Sequence, residues 1–407
     1  MSKIKVLRTI RLREFPNIIW LELETDEGLV GLGETWRGAA AVETTLHEEV
    51  APFLLGQDSR QIEMISNTLT TPYVGFHSGS AETRAASAVD IALWDLFGQR
   101  RNMPVYEALG GASRSELPVY NTCSGYTYNA KSASFFSSAG RRLISSGERM
   151  GGPYDDQVAF MTDAGALAKS LVKEGFQAMK IWPFDQYALK NNGNYISDRD
   201  LEIATDPFRK VRDAVGNRID IMCELHSYWS VPAATRICRA LEQYDILWAE
   251  DPLCKMDDPD SLRQLHRKTR TPLCGSETLA GTVIFRHMLQ EGLLDYSMLD
   301  LGWCGGLTVG RKISDLAASF NVPVAPHDCT GPVLLWAGMH LAFHATNAVF
   351  MEVVRANLTT WYKDFVDYLP QINGGIAQRP TRPGLGVCLK PEVKARADAI
   401  VRESSSH

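Results

Sequence analysis

Residues 219–226 read IDIMCELH, an apolar run that ends in an acid and a histidine two positions apart. Such a run is typical of a buried strand, and Glu224 and His226 stand where that strand should end. In a strand, side chains two residues apart point to the same face. The stretch therefore predicts a buried strand that carries one carboxylate and one titratable base side by side at its end.

Similar runs recur along the chain, and amphipathic helical segments separate them. The other runs are LPVYNTC, AMKIW, ILWAE, PLCGSE, YSMLD, PVAPH and VFMEV. Alternating strands and helices predict a parallel sheet. Because there are eight strand candidates, we expect a closed α/β barrel of the TIM type, with (β/α)7β or (β/α)8 connectivity.

A polar residue stands at the end of nearly every run. These residues are Lys180, Glu224, Glu250, Glu277, Asp300, His327 and Glu352. From Glu224 onward they recur every 23 to 27 residues, an interval that suits one strand–helix unit. The carboxyl ends of all strands meet at one face of such a barrel, where active sites lie. We therefore expect these side chains to share one mouth.

The first part of the chain has a different pattern. IIWLELETDEGLVGLGE indicates two strands joined by a turn at Asp26, Glu27 and Gly28, and AETRAASAVDIALWDLFGQRR indicates a helix. We predict an α+β domain over residues 1–115 and the barrel, with the active site, over residues 116–361. The segment from about 362 to 407 is expected to return and pack against the first domain.

Three carboxylates would end three successive strands. Neighbouring strands lie about 4.8 Å apart, so Glu224, Glu250 and Glu277 would repel one another unless a cation joined them. Oxygen ligands without Cys or His suit Mg²⁺ or Mn²⁺. A single Glu of this kind would more often pair with Lys or Arg on a solvated rim, but three on consecutive strands favour a metal site.

The other strand ends predict proton chemistry. Asp300 beside His327 would orient the imidazole and raise its pKa, which makes a general base. A protonated Glu352 could donate a hydrogen bond to developing negative charge, or it could form a structural salt bridge. Lys180 could neutralise a substrate carboxylate or pair with a glutamate, and Trp182 fits a pocket wall. With His226 facing His327 across the mouth, this set suggests abstraction of a proton α to a carboxylate.

Composition excludes other classes of function. The net charge is −6 and the pI is about 5.9, which argues against a nucleic-acid surface. No apolar run approaches the ~20 residues that span a bilayer, and the N-terminal stretch does not fit a signal peptide. Eight cysteines without a CxxC pattern favour a reducing compartment. We therefore expect a cytoplasmic protein whose partner is a small molecule.

Ordered motifs now indicate a family. AMKIW, CELH, WAEDPL, GSETLAG, MLDLGWCGG, APHD and MEVV follow the joining segment AVDIALWDLFGQRRNMPVYEALGG of residues 88–111. In this order they resemble the enolase superfamily, in particular the mandelate racemase subgroup and its acid-sugar dehydratases of the galactonate and mannonate type. The resemblance covers nearly the whole chain and implies an N-terminal capping domain, bound Mg²⁺ and a homo-oligomer.

The resemblance assigns roles position by position. Glu224, Glu250 and Glu277 match the metal ligands, His327 with Asp300 the base pair, Glu352 the electrophilic acid, and Lys180 the first lysine of the racemase KxK motif. Trp182 stands where the second, catalytic lysine would be, which argues against a two-base racemase. His226 matches the histidine that the dehydratases use as an acid. Glu224 replaces the more usual Asp, and the extra methylene makes the position of His226 uncertain.

The implied function is dehydration of an aldonate or aldarate to a 2-keto-3-deoxy sugar acid. His327 would abstract the C2 proton and His226 would assist loss of the C3 hydroxyl. An epimerase, a racemase or a cycloisomerase that uses the same enolate, or a non-catalytic sugar-acid-binding protein, are the alternatives. Residues expected to contact the distal part of the substrate are Phe15, Asn17, Trp36, Arg37, His77 and Arg355, although Arg355 could equally form a salt bridge.

Overall fold

The computed structural model describes residues 2–71, 79–126, 128–130 and 154–406. Its strands are, in chain order, β1 (Ile4–Leu12), β2 (Ile18–Thr25), β3 (Val30–Trp36), β4 (Glu116–Thr122), β5 (Ala178–Ile181), β6 (Asp220–Glu224), β7 (Trp248–Glu250), β8 (Leu273–Gly275), β9 (Tyr296–Leu299), β10 (Val324–Pro326), β11 (Met351–Val353), β12 (Ile372–Asn373), β13 (Ile376–Gln378) and β14 (Ala399–Ser405).

Helices connect the strands. They are α1 (Ala39–Thr45), α2 (Ala51–Leu54), α3 (Ile62–Thr70), α4 (Ala81–Arg101), α5 (Val105–Ala108), α6 (Asp156–Thr162), α7 (Ala164–Glu174), α8 (Asp185–Ala188), α9 (Asp198–Val215), α10 (Val231–Leu241), α11 (Pro259–His266), α12 (Thr282–Gln290), α13 (Gly306–Ser319), α14 (Pro332–His344), α15 (Arg355–Thr359), α16 (Trp361–Phe365) and α17 (Pro391–Ala395). A π-helical turn follows α1 at Leu46–Val50, and a 3₁₀ turn follows α10 at Glu242–Tyr244. No described helix is both long and apolar enough to cross a bilayer.

Eight parallel strands form the predicted barrel. Each strand from β4 to β9 pairs in parallel with the next, and β11 pairs with β4. An isolated parallel bridge between Val324 of β10 and Ala348, three residues before β11, closes the barrel. All eight apolar runs are therefore strands, and the TIM-type fold prediction is confirmed.

The interior of the barrel is a packed core. One residue from each of seven strands forms a separate buried cluster, made of Tyr120, Ala178, Met222, Trp248, Cys274, Met298 and Ala325. Tyr120 on the first barrel strand meets Trp248 on the fourth, edge to face, with ring centroids 5.8 Å apart. Large side chains such as Trp248 and small ones such as Ala178 together fill this layer, as in other barrels of this type. This layer supports the mouth from below.

A second, antiparallel sheet has the strand order β14-β1-β2-β3 and packs against α4. A Cβ on Gly31 or Gly33 would overlap the backbone oxygen of Ala92 or Ala88 in α4, so glycine allows this close approach. The C-terminal strand β14 pairs with β1 and completes the sheet. The capping domain is therefore built from both ends of the chain, while the residue limits given for the two domains stay predictions.

Strand β3 attaches this capping sheet to the mouth of the barrel. The buried Glu34 carboxylate accepts hydrogen bonds from the backbone N–H of Val333, at 3.1 Å, and Leu334, at 3.4 Å, in the first turn of α14. Thr35 donates its hydroxyl hydrogen to the Gly302 carbonyl at 2.6 Å. Trp36, next in the strand, thereby lies over the barrel opening.

Candidate active site

Three glutamates converge at the ends of three neighbouring strands. Glu224 on β6 lies opposite Glu250 on β7 in the parallel register, and Glu277 follows two residues after β8. One carboxylate oxygen from each lies within 4.8 Å of the others, and all three side chains are buried or nearly so. The structure thus brings the three predicted ligands together, while their role in binding a metal stays a prediction.

The charge of this cluster suits a divalent cation. Burial raises the pKa of Glu224 to about 8, and burial together with Glu224 raises the pKa of Glu250 well above its ordinary value. Within the described chain, Oε2 of Glu224 is buried without a hydrogen-bond partner. An oxygen-only donor set with an unpartnered buried oxygen fits Mg²⁺.

Lys180 supplies one positive charge to several carboxylates. Its Nζ lies 2.5 Å from Glu250 Oε1, 3.0 Å from Glu352 Oε1 and 3.6 Å from Glu224 Oε2. Burial lowers the pKa of Lys180, but these carboxylates more than offset it and hold the pKa well above its ordinary value. The structure therefore gives Lys180 the ion-pair arrangement that the sequence left as one of two alternatives.

His327 and Asp300 form a hydrogen-bonded pair. Asp300 follows β9, His327 follows β10, and their Nδ1 and Oδ2 atoms are 2.6 Å apart. Nε2 of His327 points into the mouth, 2.9 Å from Glu277 Oε2. Burial lowers the pKa of His327, but Glu277, Glu352 and the bond to Asp300 raise it well above its ordinary value. The pair has the geometry of an oriented general base.

Two further donors hold the Asp300 carboxylate. Trp36 of the capping sheet donates from Nε1 to Oδ2 at 2.9 Å, and the backbone N–H of Gly302 donates to Oδ1 at 2.6 Å. The Trp36 ring also lies 5.8 Å from the His327 ring, centroid to centroid. Trp36 therefore contacts Asp300 and His327 themselves. The sequence had predicted only a contact with the substrate for this residue.

Glu352 is surrounded by donors. Thr122 donates its hydroxyl hydrogen to Oε1, and the backbone N–H of Asp328 donates to Oε2 at 2.9 Å. Burial raises the pKa of Glu352, but Lys180 and His327 lower it more, and the net pKa is below its ordinary value. Glu352 thus has the ion pair with Lys180 that the sequence left as one of two alternatives, and its role as an electrophilic acid stays a prediction.

His226 reaches the mouth by a turn and not by strand geometry. β6 ends at Glu224, and the backbone of His226 and Ser227 is left-handed, with φ values of 48° and 54°. The expectation that Glu224 and His226 leave one strand side by side is therefore wrong. Instead, the longer Glu224 side chain folds back, and its Oε1 accepts the His226 backbone N–H at 2.5 Å.

The His226 ring has its own carboxylate partner. Its Nδ1 lies 2.8 Å from Asp185 Oδ2, at the start of α8, and its Nε2 lies 3.3 Å from the Tyr128 hydroxyl. Burial lowers the pKa of His226, but Asp185 more than offsets this and the net pKa is raised. Sequence reasoning missed Asp185 and Tyr128, because neither ends a strand; the only available signal was an Asp shortly after the AMKIW run.

Most of these groups line one cavity of about 670 Å³, but Glu250 and Asp300 do not. From the capping domain it is lined by Asn17, Trp36 and Arg37, and from the barrel by Trp182, whose ring lies 5.7 Å from that of His226. Phe15 is buried and stacks on Trp361, with ring centroids 4.5 Å apart, and does not line this cavity. The proposed contact His77 lies outside the described residues.

Arg355 is placed elsewhere. Its guanidinium bonds both oxygens of Asp156 at 2.7 Å and Glu174 Oε1 at 2.7 Å, and it does not line the cavity. The predicted substrate contact is therefore wrong for this structure, and the salt-bridge alternative holds. A buried guanidinium with two carboxylates anchors α6 and α7 to the end of β11.

Known proteins share this architecture. The sequence matches the mandelate racemase / muconate lactonizing enzyme N-terminal domain over residues 10–110 and the enolase C-terminal domain-like family over residues 163–393. A D-galactonate dehydratase from Ralstonia nicotianae is 30% identical over 392 residues, which cover 94% of this chain and 92% of that protein.

Solved structures agree over the full length. An enolase protein from the Sargasso Sea environmental genome is 52% identical, with a TM-score of 0.88 and 100% of both chains covered. An enolase of the mandelate racemase subgroup from Agrobacterium tumefaciens is 42% identical, with a TM-score of 0.86 and 99% of both chains covered. The chain therefore belongs to the enolase superfamily, in its mandelate racemase subgroup.

Proposed function

We propose that this protein is a Mg²⁺-dependent lyase that dehydrates a sugar acid to a 2-keto-3-deoxy sugar acid. The observation that carries the proposal is a pair of histidines, the buried His327 and the partly buried His226, on opposite sides of one cavity, each hydrogen-bonded to its own carboxylate. Dehydration needs two separate proton-transfer groups, one at carbon and one at oxygen. The family and the Ralstonia relative support a reaction of this class.

His327 is the proposed base. The Asp300 carboxylate accepts the Nδ1 hydrogen, so Nε2 is the nitrogen that faces the cavity. With Glu277 engaged as a metal ligand, the neutral form of the ring is the one that would act as the base. Nε2 takes the proton from C2, next to the substrate carboxylate. The electron pair of the C2–H bond moves into the carboxylate to give an enediolate, whose new negative charge lies near the Lys180 ammonium.

His226 is the proposed acid. Asp185 raises the pKa of His226 above its ordinary value, which favours the protonated ring that Nε2 needs in order to deliver a proton to the C3 hydroxyl. The enediolate then collapses, the C3–O bond breaks and water leaves. The product is an enol that tautomerises to the 2-keto acid.

Glu224, Glu250 and Glu277 are the proposed metal ligands. Mg²⁺ bound by these residues would act as a Lewis acid that stabilises the charge on the substrate carboxylate. Lys180 alone does not balance the three carboxylates around it, which supports a further cation here.

The substrate is proposed to be an aldonate or aldarate. A cavity of about 670 Å³ accommodates a six-carbon acid, and Asn17 and Arg37 of the capping domain are among its lining residues. D-galactonate is the first candidate, because the Ralstonia relative is a D-galactonate dehydratase. A cytoplasmic homo-oligomer remains part of the proposal, and light scattering on the purified protein tests its assembly.

The decisive experiment is a screen of the purified protein with Mg²⁺ against aldonic and aldaric acids, with 2-keto products detected by semicarbazide. We expect one or a few stereoisomers to react and chelation by EDTA to stop turnover. If the C2 proton exchanges in D₂O but no 2-keto product forms, epimerisation would replace dehydration as the proposed reaction. The absence of both product and exchange across the panel would refute the proposal.

A further inference from the structure

We propose that Asp185 is the positioning residue that aims His226 at the departing hydroxyl, so that the acid is a two-residue device. This inference rests on the proposed function. Asp185 is the first residue of α8, its side chain is 2% exposed, and its Oδ2 lies 2.8 Å from His226 Nδ1. It belongs to a different strand–helix unit from His226.

The backbone near His226 is fixed but does not determine where the ring points. Leu225 donates its backbone N–H to the Glu250 carbonyl at 3.0 Å, and Ser227 donates to the Asp251 carbonyl at 2.8 Å. Between them, the His226 N–H is taken by Glu224 Oε1. These bonds hold the turn, but the imidazole can still rotate about its own side-chain bonds.

Asp185 removes that freedom. When its carboxylate accepts the Nδ1 hydrogen, Nε2 must lie on the opposite side of the ring, toward the Tyr128 hydroxyl at 3.3 Å and the cavity. Within the described part of the chain, the other oxygen of Asp185 is buried without a hydrogen-bond partner. The carboxylate therefore makes its one side-chain hydrogen bond to His226, as expected of a group whose task is to orient that ring.

The test uses Asp185→Asn in the full-length, Mg²⁺-loaded protein, with three rates measured on the substrate found in the panel. Dehydration should fall about 100-fold, because the acid is misdirected. C2 proton removal, measured as deuterium incorporated into recovered substrate plus product formed, should stay within about threefold, since His327 is untouched.

The third rate separates orientation from folding. A 3-deoxy-3-fluoro analogue loses fluoride and needs less help from an acid, so its turnover should also stay within about threefold of the wild-type rate. Asp198→Asn serves as the control, because Asp198 is exposed and pairs with Arg236 on the surface; all three rates should be unchanged.

Two results would overturn the assignment. Equal losses in all three rates would make Asp185 merely structural, and undiminished dehydration would make it dispensable. If the wild-type protein gives neither product nor exchange, the proposed function fails and this inference fails with it. An active wild type with either of the first two results refutes the role of Asp185 alone.

Discussion

The two histidines of the mouth have the same kind of partner but are built differently. His327 and Asp300 follow adjacent parallel strands, so the barrel register alone brings them together. His226 lies in a left-handed turn, and Asp185 begins a short helix in a different unit. The first pair is a property of the fold, whereas the second depends on local loop structure. The His226 side of the cavity is therefore where relatives with one barrel could diverge in chemistry.

The strongest test of this comparison is to remove each histidine in turn. We expect His327→Asn to lose both dehydration and C2 proton exchange by about 10³-fold or more, because the C2 proton then has no imidazole nitrogen to accept it. His226→Asn should lose dehydration and retain exchange. Product and exchange are followed together in D₂O.

Metal binding is the control for the His327 variant. Titration calorimetry with Mg²⁺ should give unchanged stoichiometry, since the three glutamates are intact. Full activity of His327→Asn would show that the base has been misassigned. Loss of C2 proton exchange in His226→Asn would mean that His226 is the base and His327 the acid.

A smaller effect is expected at the contact between the capping sheet and the base pair. Trp36→Phe keeps an aromatic ring but removes the hydrogen bond to Asp300 Oδ2. One such bond is worth about 1 kcal/mol, so C2 exchange and kcat should both fall about fivefold. Trp229→Phe is the control, because the buried Trp229 Nε1 has no partner in the described chain. A change in KM alone would mean that Trp36 contacts substrate and not the base.

The comparison also explains what the sequence could predict. Parallel strands buried on both faces form apolar runs, so the eight strands and the convergence of Glu224, Glu250 and Glu277 followed from spacing. Asp185 could not be found in this way, since its contact with His226 depends on the path of a loop and a four-residue helix. The left-handed turn at His226 has no sequence signal comparable to a glycine.

The predicted substrate contact of Arg355 was wrong for a different reason. Its position just after the last barrel strand fits the mouth, but its ion pairs reach back to Asp156 and Glu174 at the outer side of the barrel. Which way a long side chain leaves a strand end is decided by carboxylates about 180 to 200 residues away in sequence. Such long-range pairs are not visible in spacing.

Replacing Arg355 distinguishes an anchor from a substrate contact. Arg355→Met should leave kcat and KM nearly unchanged but lower the free energy of unfolding by about 3–5 kcal/mol, because Asp156 would be buried without its counter-charge. Urea unfolding followed by circular dichroism measures this loss. Asp156→Asn combined with Arg355→Met should recover part of it. A raised KM with unchanged stability would return Arg355 to the substrate site.

A third buried histidine shows why the carboxylates matter. His340 in α14 is fully buried; its Nδ1 accepts the Tyr106 backbone N–H at 3.2 Å and its Nε2 donates to the Leu385 carbonyl at 3.1 Å. Burial lowers the pKa of His340 to about 4, since the neutral partners do not offset it. His327 is also buried and His226 is partly buried, yet the pKa values of both are raised. The charge of the hydrogen-bond partner, and not burial, therefore decides whether the pKa of each histidine is raised or lowered.

This difference predicts an effect on stability that is absent at neutral pH. In the unfolded chain His340 titrates near 6.5, so between about pH 6.5 and 4 the unfolded state binds a proton that the folded state refuses. His340 therefore makes stability fall with acidification, by about 2 kcal/mol between pH 7 and pH 5. In His340→Gln this contribution disappears, and the stability gap between wild type and variant, measured by urea unfolding, should shrink by that amount over the interval. If the free energies of unfolding of wild type and variant run parallel with pH, His340 takes up its proton in the folded state as well. Burial without a carboxylate partner would then no longer explain why its pKa differs from those of His226 and His327.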